Sequence, residues 1–390
     1  MIPASPEFIN AMKKPIVETY IKLEFYDKSM NFVSEFTKKC TRDDFGAISV
    51  QRDRKIMRSF SFALDNSDGT FTWSDSSLVW INKRLKVYTG LKTSNGIEYV
   101  PQGVFVLTEP SDSNNEEGQK CFITGQDKAY LYNDKRGKII NPLEIEEGVN
   151  VGTAIKLLAT QNGETLFNFD AVTATVPYKL NYQAGENRWT IMEELALFAE
   201  CVIYFDVNGY LRLKKIDLNE FTEYGVTWIY QYGVNTEKFY SGNIRKLDEQ
   251  LLANKIVVLA GSAQTAIASY ILTVDDTDPL WTGSPYSIQE LGVIPYLHNN
   301  GSPDPLLDSD SCKWRAKWEL MNRLGYSERV SLRIVPNYLH EVYDVIQIED
   351  NKNNVTGRYL MEGFDIPINP DYMNTEVRKE NRIILDWDFI

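Results

Sequence analysis

Histidine is almost absent from this sequence: its 390 residues include only two, His298 and His340. Both lie in polar segments typical of loops, and neither has a partner at the spacing of a helical zinc motif. We therefore expect both rings to be solvated rather than to act as a general base or a metal ligand. The glycine-rich and nucleophile motifs of nucleotide-binding proteins and hydrolases are also missing. These absences predict a chain that is not an enzyme and holds no metal or cofactor.

Cysteine is scarce as well, and no two cysteines stand in a Cys-x-x-Cys pair. Each of the four lies in or beside an apolar segment, which predicts buried free thiols in a chain folded in a reducing cytoplasm. Spacing alone leaves a Cys–His pair open, although no typical catalytic sequence surrounds any of them. The four cysteines are Cys40, Cys121, Cys201 and Cys312.

Long apolar runs and an excess of basic residues are both missing. No stretch of about 18 apolar residues occurs, so we expect no membrane span and no stable membrane insertion. The net charge is -13, and a surface of this sign repels the phosphates of nucleic acid. This charge still permits a pore through which DNA passes without sticking.

Carboxylates and aromatics are abundant, and they leave three kinds of site open. Asp275, Asp276 and Asp278, or the run from Asp304 to Asp310, could supply oxygen ligands to calcium, but solvated turns fit them equally well. The 54 acidic residues neither support nor exclude a pair of glycosidase carboxylates. Five tryptophans could stack on sugars, although in β-rich chains such residues more often belong to cores or interfaces. They are Trp73, Trp80, Trp281, Trp314 and Trp318.

The first third of the chain has the pattern of many short strands separated by turns. A short helix precedes them, with Ser5 as its cap and Pro6 in its first position. Alternating segments such as Phe60–Leu64 follow, and turn clusters such as Asp65–Gly69 separate them. This pattern predicts a sandwich or barrel over residues 1–130.

Over residues 131–245 the pattern of apolar residues changes from one of strands alone to one of both helices and strands. This pattern predicts a mixed α+β module. Residues 151–159 and 188–200 have helical periodicity, each with one apolar stripe. A hairpin follows, because Asn208-Gly209 between two apolar runs favours a two-residue type I′ turn. The stripes consist of Ala154, Ile155, Leu158 and Ala159 in the first helix, and of Trp189, Met192, Leu195, Ala196 and Ala199 in the second.

Residues 246–390 return to β-structure around one helix. Ser309 or Asp308 can cap this helix, Cys312, Ala316, Leu320, Met321 and Leu324 form its apolar face, and Gly325 suits a left-handed stop. A meander of strands follows. Its hairpin from Tyr343 to Ile366, which contains Gly357-Arg-Tyr-Leu-Met361, loosely repeats the earlier hairpin from Arg84 to Thr108, which contains Gly103-Val-Phe-Val-Leu107. The repeat indicates either two unrelated hairpins or two copies of one small barrel.

The order of these parts resembles the baseplate hub and tail-associated proteins of tailed bacteriophages and phage-like particles, with the type VI secretion spike as a more distant relative. The resemblance rests on the leading Ser5-Pro-Glu-Phe-Ile-Asn-Ala segment, the Trp189-Thr-Ile-Met-Glu-Glu-Leu helix with its hairpin, and the final strands around Val330-Ser-Leu-Arg-Ile-Val-Pro336. It covers about residues 5–368. It implies two tandem small β-barrels flanking an α+β domain, and three chains in a ring.

From this resemblance we expect a structural virion protein, the central hub of a phage tail tip or baseplate. The expected partners are two further copies in a homotrimer, a tail tube or distal tail protein, a central spike or fibre protein, and DNA only in transit. The chain would be assembled in the host bacterial cytoplasm. A receptor- or carbohydrate-binding tail protein is the alternative, and a glycan-cleaving tail enzyme is a third.

Overall fold

The computed structural model describes residues 1–14, 16–52, 54–116, 118–216, 218, 225–231, 240–260, 268–298, 308–326, 328–350, 352 and 354–379. Within these ranges the fold is mainly β, as the sequence predicts. The helices are α1 (Pro6–Met12), α2 (Val151–Thr160), α3 (Arg188–Phe198), α4 (Ile288–Leu291) and α5 (Ser309–Tyr326). The strands are β1 (Thr19–Tyr26), β2 (Phe32–Lys39), β3 (Gly46–Gln51), β4 (Arg58–Asp65), β5 (Arg84–Thr93), β6 (Gly96–Leu107), β7 (Ser111–Asn115), β8 (Gly118–Asp127), β9 (Leu143–Ile145), β10 (Phe167–Phe169), β11 (Leu180–Tyr182), β12 (Cys201–Phe205), β13 (Leu211–Lys215), β14 (Val226–Gln231), β15 (Tyr240–Leu247), β16 (Lys255–Ala260), β17 (Ala268–Thr273), β18 (Pro295–Leu297), β19 (Glu328–Ile334), β20 (Val345–Asp350), β21 (Val355–Pro367) and β22 (Met373–Lys379).

In the part of the chain that the structure describes, fourteen strands from its two ends form one large sheet. Its path runs β15-β19-β22-β21-β3-β4-β8-β6-β5-β1-β2, with β14 and β20 attached beside β21 and β7 attached to β8. Among the described strands this path is open, so the two closed barrels expected from the resemblance are not confirmed. The physical reason is that β21 continues beyond its own hairpin and pairs with β3, Gly363 lying opposite Gln51.

The N-terminal and C-terminal strands also share one hydrophobic core. Leu23 and Phe105 from the N-terminal strands belong to the same buried cluster as Leu332 and Phe364 from the C-terminal strands. Residues more than two hundred positions apart therefore stabilise one another. The domain boundaries at residues 130 and 245 remain a prediction.

Inside the large sheet, two sets of five strands have the same order. The first set runs β3-β4-β8-β6-β5 and the second runs β15-β19-β22-β21-β20. We call them the first and second five-strand sets. The hairpin repeat seen in the sequence lies at the end of each set, with Val87 opposite Gly103 in the first and Ile348 opposite Gly357 in the second.

The register also matches from strand to strand. Each residue pair that lies across two strands of the first five-strand set has a counterpart at the corresponding position of the second. Leu85–Phe105 in the first set corresponds to Ile346–Tyr359 in the second, and Phe105–Asp127 corresponds to Tyr359–Lys379. In the same way, Phe60–Gly125 corresponds to Val330–Val377, and Phe60–Ile48 corresponds to Val330–Arg245. Coincidence between unrelated hairpins does not preserve register across five strands. The structure therefore favours the interpretation of two copies of one unit.

A shared irregularity supports the same interpretation. In the second set, the register of β21 against β22 shifts between Met361 and Gly363. In the first set the corresponding shift falls between the end of β6 and the start of β7, because Leu107 lies opposite Gly125 but Ser111 lies opposite Phe122. The strand β21 is therefore the counterpart of β6 and β7 together. Beyond the five strands the copies differ, since β1 runs antiparallel to β5 whereas β14 runs parallel to β20.

The middle of the chain forms a second core around helices α2 and α3. All nine residues of the two predicted stripes belong to this core. Two small sheets, β10-β13-β12 and β11-β9, accompany the helices. Asn150 caps α2 and Asn187 caps α3 by accepting hydrogen bonds from backbone N–H groups of the first turn.

The hairpin of β12 and β13 forms where the sequence predicts it, but with a different turn. Only Gly209 takes a positive φ, of 79°, whereas a type I′ turn needs two such residues. The N–H of Gly209 donates to the carbonyl of Asp206, and the Asp206 carboxylate accepts from the N–H groups of Asn208 and Tyr210. These bonds to Asp206 favour a longer, type I-based turn.

A third core lies under helix α5, which packs on the small sheet β17-β16-β18. The apolar face predicted for this helix is buried. Asp308 provides the cap, with its carboxylate 2.8 Å from the N–H of Ser311. The predicted stop at Gly325 is wrong, because the helix was expected to end at Leu324 and continues two residues further, to Tyr326.

Helix α1 begins as predicted. The hydroxyl of Ser5 accepts a hydrogen bond from the N–H of Phe8 at 3.0 Å, and Pro6 occupies the first turn. Phe8 is buried in the shared core, so this helix packs against the large sheet, where it contacts β5.

Candidate assembly surface

The two histidines are buried, and the prediction that they are solvated is wrong. His340 is fully buried: its Nε2 lies 2.7 Å from the Tyr230 hydroxyl, and its Nδ1 lies 3.4 Å from Oδ2 of Asp344. His298 is 5% exposed, with Nδ1 3.9 Å from Oε1 of Glu319. Loops that pack onto a sheet bury their polar side chains with partners. His340 therefore serves as an internal hydrogen-bonding group, and neither ring is presented to solvent.

All four cysteines are buried and free of disulfides, as predicted. Burial raises the pKa of the Cys40 thiol to about 11, and raises the pKa of Cys121 and of Cys201 to about 12. Such thiols stay protonated at neutral pH. They do not supply the thiolate that a nucleophilic cysteine needs.

The acidic cluster at 275–278 is occupied by local hydrogen bonds. Asp275 accepts from the N–H and hydroxyl of Thr277 and from the amide of Gln289, and Asp276 accepts from the N–H of Gly283. Among the described residues, no group of three or more His, Cys, Asp or Glu side chains is arranged to hold a metal ion. Residues 304–307 of the other acidic run lie outside the described ranges.

The five tryptophans divide between core and surface. Trp281 and Trp318 are buried, and Trp314 stacks on Trp318 with ring centroids 6.1 Å apart. Trp73 is exposed and stacks on Trp80 at 6.0 Å. Of these five tryptophans, Trp73 is the one with an exposed side chain, so the Trp73–Trp80 stack is the one that offers an aromatic surface to a ligand.

A buried ionic cluster, which the sequence analysis did not predict, lies where the two halves of the large sheet meet. The Glu362 carboxylate accepts from Nε of Arg378 at 2.5 Å and from the Arg52 guanidinium at 2.8 Å. The buried Arg58 guanidinium, on β4, donates to Glu341 at 2.6 Å, and this pair also joins the N-terminal and C-terminal parts of the chain. Buried pairs of this kind fix one arrangement of strands, because separating them leaves a charge without compensation. A charged residue amid the apolar residues of a strand, as Glu362 is, was the available signal.

In the described part of the chain, four strands of the large sheet have an edge without a partner. β2 and β15 end the sheet path, β7 pairs only with β8, and β14 pairs only with β20. Apolar side chains are exposed on three of them: Phe32 and Val33 on β2, Ile244 and Leu247 on β15, and Val226 on β14. Unpaired edges with exposed apolar residues are typical sites of strand addition by another chain.

An open groove of about 670 Å³ lies between the end of α1, the end of β19 and the segment before β22. Met12, Val17, Pro336 and Tyr372 supply apolar walls, and Arg42 and Asp371 lie at its margin. No convergent set of titratable side chains lines it. Of the helices in the described ranges, none combines the length and the apolar character needed to cross a membrane.

No protein-family model matches the sequence, and no curated protein matches it either. Several solved structures, however, have a similar fold. A tail protein from Neisseria meningitidis superposes with a TM-score of 0.63 at 10% identity, covering 94% of this chain and 98% of that one. The 43 kDa tail protein of prophage MuSo2 from Shewanella oneidensis gives 0.59 at 9% identity, with coverages of 94% and 100%.

This chain has the fold of phage tail proteins. The prophage tail protein gp18 of Listeria monocytogenes is a third structure with this tail-protein fold, with a TM-score of 0.55, 11% identity, and coverages of 92% and 94%. A chain of the Francisella PdpA–VgrG complex gives 0.52 at 9% identity, and there the match covers 94% of this chain but 53% of that one. The resemblance to tail-associated proteins is thereby confirmed as a likeness of fold.

Proposed function

We propose that this chain is a structural protein of a phage tail, placed at the tail tip or baseplate as its central hub. The observation that carries the proposal is the pair of five-strand sets with matching order and register. The tail-protein fold, shared over nearly the whole chain, supports the same assignment. The proposed work of the protein is geometric: it holds neighbouring parts in fixed positions.

In this proposal three copies form a closed ring with a central channel. Each copy contributes two similar units, one from residues 1–130 and one from residues 246–390 together with the start of β15 (Tyr240–Leu247). Six barrel-like units therefore alternate around the axis. Such a ring approximates sixfold symmetry toward the tail tube and keeps threefold symmetry toward a central spike or fibre. Closed rings of this kind use heterologous contacts, in which one surface of each copy meets a different surface of the next.

The proposed partners follow from that position. A tail-tube or distal tail protein binds one face, and a spike or fibre protein binds the other. DNA crosses the channel only in transit, for which an acidic chain with a net charge of -13 is suited, because it repels phosphate. The protein assembles in the host cytoplasm and remains in the virion, with the α+β module of residues 131–245 between the two β units.

Negative-stain microscopy of purified virions labelled with antibody against this chain tests the position. Label confined to the tip of the tail, at the end of the tube, is the expected result. Label along the tube, on the head, or absent from virions would overturn the assignment.

The Trp73–Trp80 stack favours a second candidate function, carbohydrate binding by a tail protein. Exposed stacked rings suit the apolar faces of sugars. A glycan array decides between the two: reproducible binding lost in Trp73→Ala would favour the receptor-binding function, and a blank array leaves the hub assignment as the better supported.

We also propose that the chain has no hydrolytic activity. Purified protein is expected to leave peptidoglycan and surface polysaccharide intact. Release of soluble fragments that a single carboxylate substitution abolishes would reveal a glycan-cleaving enzyme instead.

A further inference from the structure

The strands β21 and β3 pair inside the chain, but the strands that correspond to them in the repeat do not pair with each other. On one side β3 pairs with β4, and on the other it receives the far part of β21, residues 363–367. The counterpart of β3 in the second five-strand set is β15, because Arg245 lies opposite Val330 as Ile48 lies opposite Phe60. On β15 the corresponding edge has no strand beside it among the described residues.

The counterpart of the far part of β21 is β7. Ser111 lies opposite Phe122 on β8 as Asp365 lies opposite Asn374 on β22. The outer edge of β7 also has no strand beside it in the described ranges. The repeat therefore leaves two unpaired edges that correspond to the two strands joined inside the chain.

Exposure differs between corresponding positions of β3 and β15. Val50 on β3 is buried, whereas its counterpart Leu247 on β15 is 73% exposed. On the opposite face of β15, Ile244 is 61% exposed. Both apolar side chains gain from being covered.

We propose that β7 of one copy pairs antiparallel with β15 of the next copy, which repeats the β21–β3 contact between chains. The inference rests on the proposed function, because it specifies how neighbouring copies of the ring join. The register follows from the contact inside the chain, where Asp365, Ile366 and Pro367 lie opposite Ser49, Ile48 and Ala47. Transferred to the counterparts, Ser111 lies opposite Lys246, Asp112 opposite Arg245, and Ser113 opposite Ile244.

The chemistry of the two strands fits this register. Asp112 and Arg245 bring opposite charges together where the contact inside the chain has two isoleucines. Directly opposite charges stabilise an antiparallel pair. On the same face, Pro110 reaches Leu247 and covers part of it. Pro110 has no N–H to donate, so the hydrogen-bonded pairing ends there.

Cysteine crosslinking between different variants tests the register. Ser113→Cys and Ile244→Cys are purified separately, mixed, and oxidised mildly. In the proposed register the two Cα atoms fall within disulfide range, at about 4.5–5.5 Å. The mixture is expected to give a covalent dimer that neither variant gives alone, which identifies the bond as intermolecular. Ser113→Cys mixed with Arg245→Cys is the control, because those side chains point to opposite faces and should not crosslink.

A chain that carries both substitutions tests whether the copies form a closed ring. A chain carrying both Ser113→Cys and Ile244→Cys is expected to yield a covalent trimer that resists denaturant. Open chains of increasing length would overturn closure at this contact. The native cysteines are buried, so the wild-type protein should give no crosslink.

Charge reversal provides a second, independent measurement. Asp112→Arg and Arg245→Asp are each expected to raise the dissociation constant of the assembly at least about tenfold, and the double variant to recover most of that loss. Glu147→Arg, at an exposed residue of the middle module, is the control and should leave assembly unchanged. Equal weakening in the single and double variants would contradict the Asp112–Arg245 pairing.

The two hypotheses fail differently. A trimer in native mass spectrometry without the 113–244 crosslink would overturn the β7–β15 contact and leave the ring intact. A chain that stays monomeric would overturn both.

Discussion

Single buried charges hold distant parts of this chain together. The Lys128 ammonium lies 2.7 Å from Oε2 of Glu164 and 3.0 Å from the carbonyl of Gly209, and both side chains are almost inaccessible. Burial lowers the pKa of Lys128, while Glu164 opposes that shift. Lys128 therefore connects the end of β8 both to Glu164, in the segment between α2 and β10, and to the turn between β12 and β13.

Lys128→Met should destabilise the protein by about 3–5 kcal/mol, because it leaves the Glu164 carboxylate buried without its cation. Chemical denaturation measures this loss. Lys179→Met is the matched control, since Lys179 forms a similar pair with Glu144 but in solvent, and it should change stability by less than about 1 kcal/mol. Equal losses of unfolding free energy in the two variants would contradict the burial of the Lys128–Glu164 pair.

Glu193 on helix α3 is a carboxyl group with a raised pKa. Burial raises its pKa to about 7, against the lowering effects of Lys55 and of the Trp189 indole N–H, which donates to Glu193 at 2.8 Å. In the unfolded chain the pKa is about 4.3. Folding therefore favours the protonated form, and stability from this group is full below about pH 4 and is lost as pH rises through about 7.

Glu193→Gln removes that pH dependence while keeping an acceptor for Trp189. The variant should match the parent near pH 4 and be more stable by about 1–2 kcal/mol at pH 8, after allowance for partial solvent screening. Melting curves from pH 4 to pH 8 measure the difference. Parallel curves for variant and parent would contradict the raised pKa.

For single residues, the sequence predicts burial where burial depends on nearby residues in the chain. The burial of Cys312 and Leu195 follows from helical spacing, and both residues are buried. The burial of His340 does not follow, because its partner Tyr230 lies 110 positions away in the sequence.

Helices α2 and α3 form the best predicted elements of the fold. Their apolar stripes face each other and the small sheets beside them in one core. Helical spacing of apolar residues is a local property, which explains why sequence alone identifies these faces.

Leu195→Asp places a charge in that core and should cost about 3–5 kcal/mol, because a buried ion without a partner is strongly disfavoured. Leu157→Asp on α2 is the matched control: Leu157 is exposed, so this change should cost less than about 1 kcal/mol. Thermal melting of the two variants tests the assignment. A Leu195→Asp protein that melts within a degree or two of the parent would place the wrong face in the core.

Turns are less predictable than helix faces. Asn208-Gly209 has the composition of a two-residue turn, yet Asp206 accepts two N–H bonds and lengthens the loop. A side chain one or two residues outside the central pair thus decides the turn type.

At the scale of the molecule, the sequence indicates a repeat but not how its copies join. The two hairpins are recognisable from Gly103 and Gly357 and the apolar residues after them. The pairing of Gly363 with Gln51 is not recognisable, because it brings together residues more than three hundred positions apart. Contacts of this kind depend on the assembled sheet rather than on local pattern. The two separate barrels implied by the family resemblance are therefore not confirmed, and the described strands form one open sheet.

The matched register of the two five-strand sets gives the molecule an approximate internal symmetry. That symmetry is useful to a ring only if copies meet edge to edge, and the unpaired edges of β7 and β15 suit that contact. Assembly would cover the exposed apolar residues on β15 and remove an edge prone to aggregation.

Native mass spectrometry of the purified chain at micromolar concentration, alone and with its tail-tube neighbour, tests the central claim most directly. The ring account predicts a species of three times the chain mass that charge reversal at Asp112 or Arg245 dissociates and the double reversal restores. A stable monomer under both conditions, or a dimer, would contradict it.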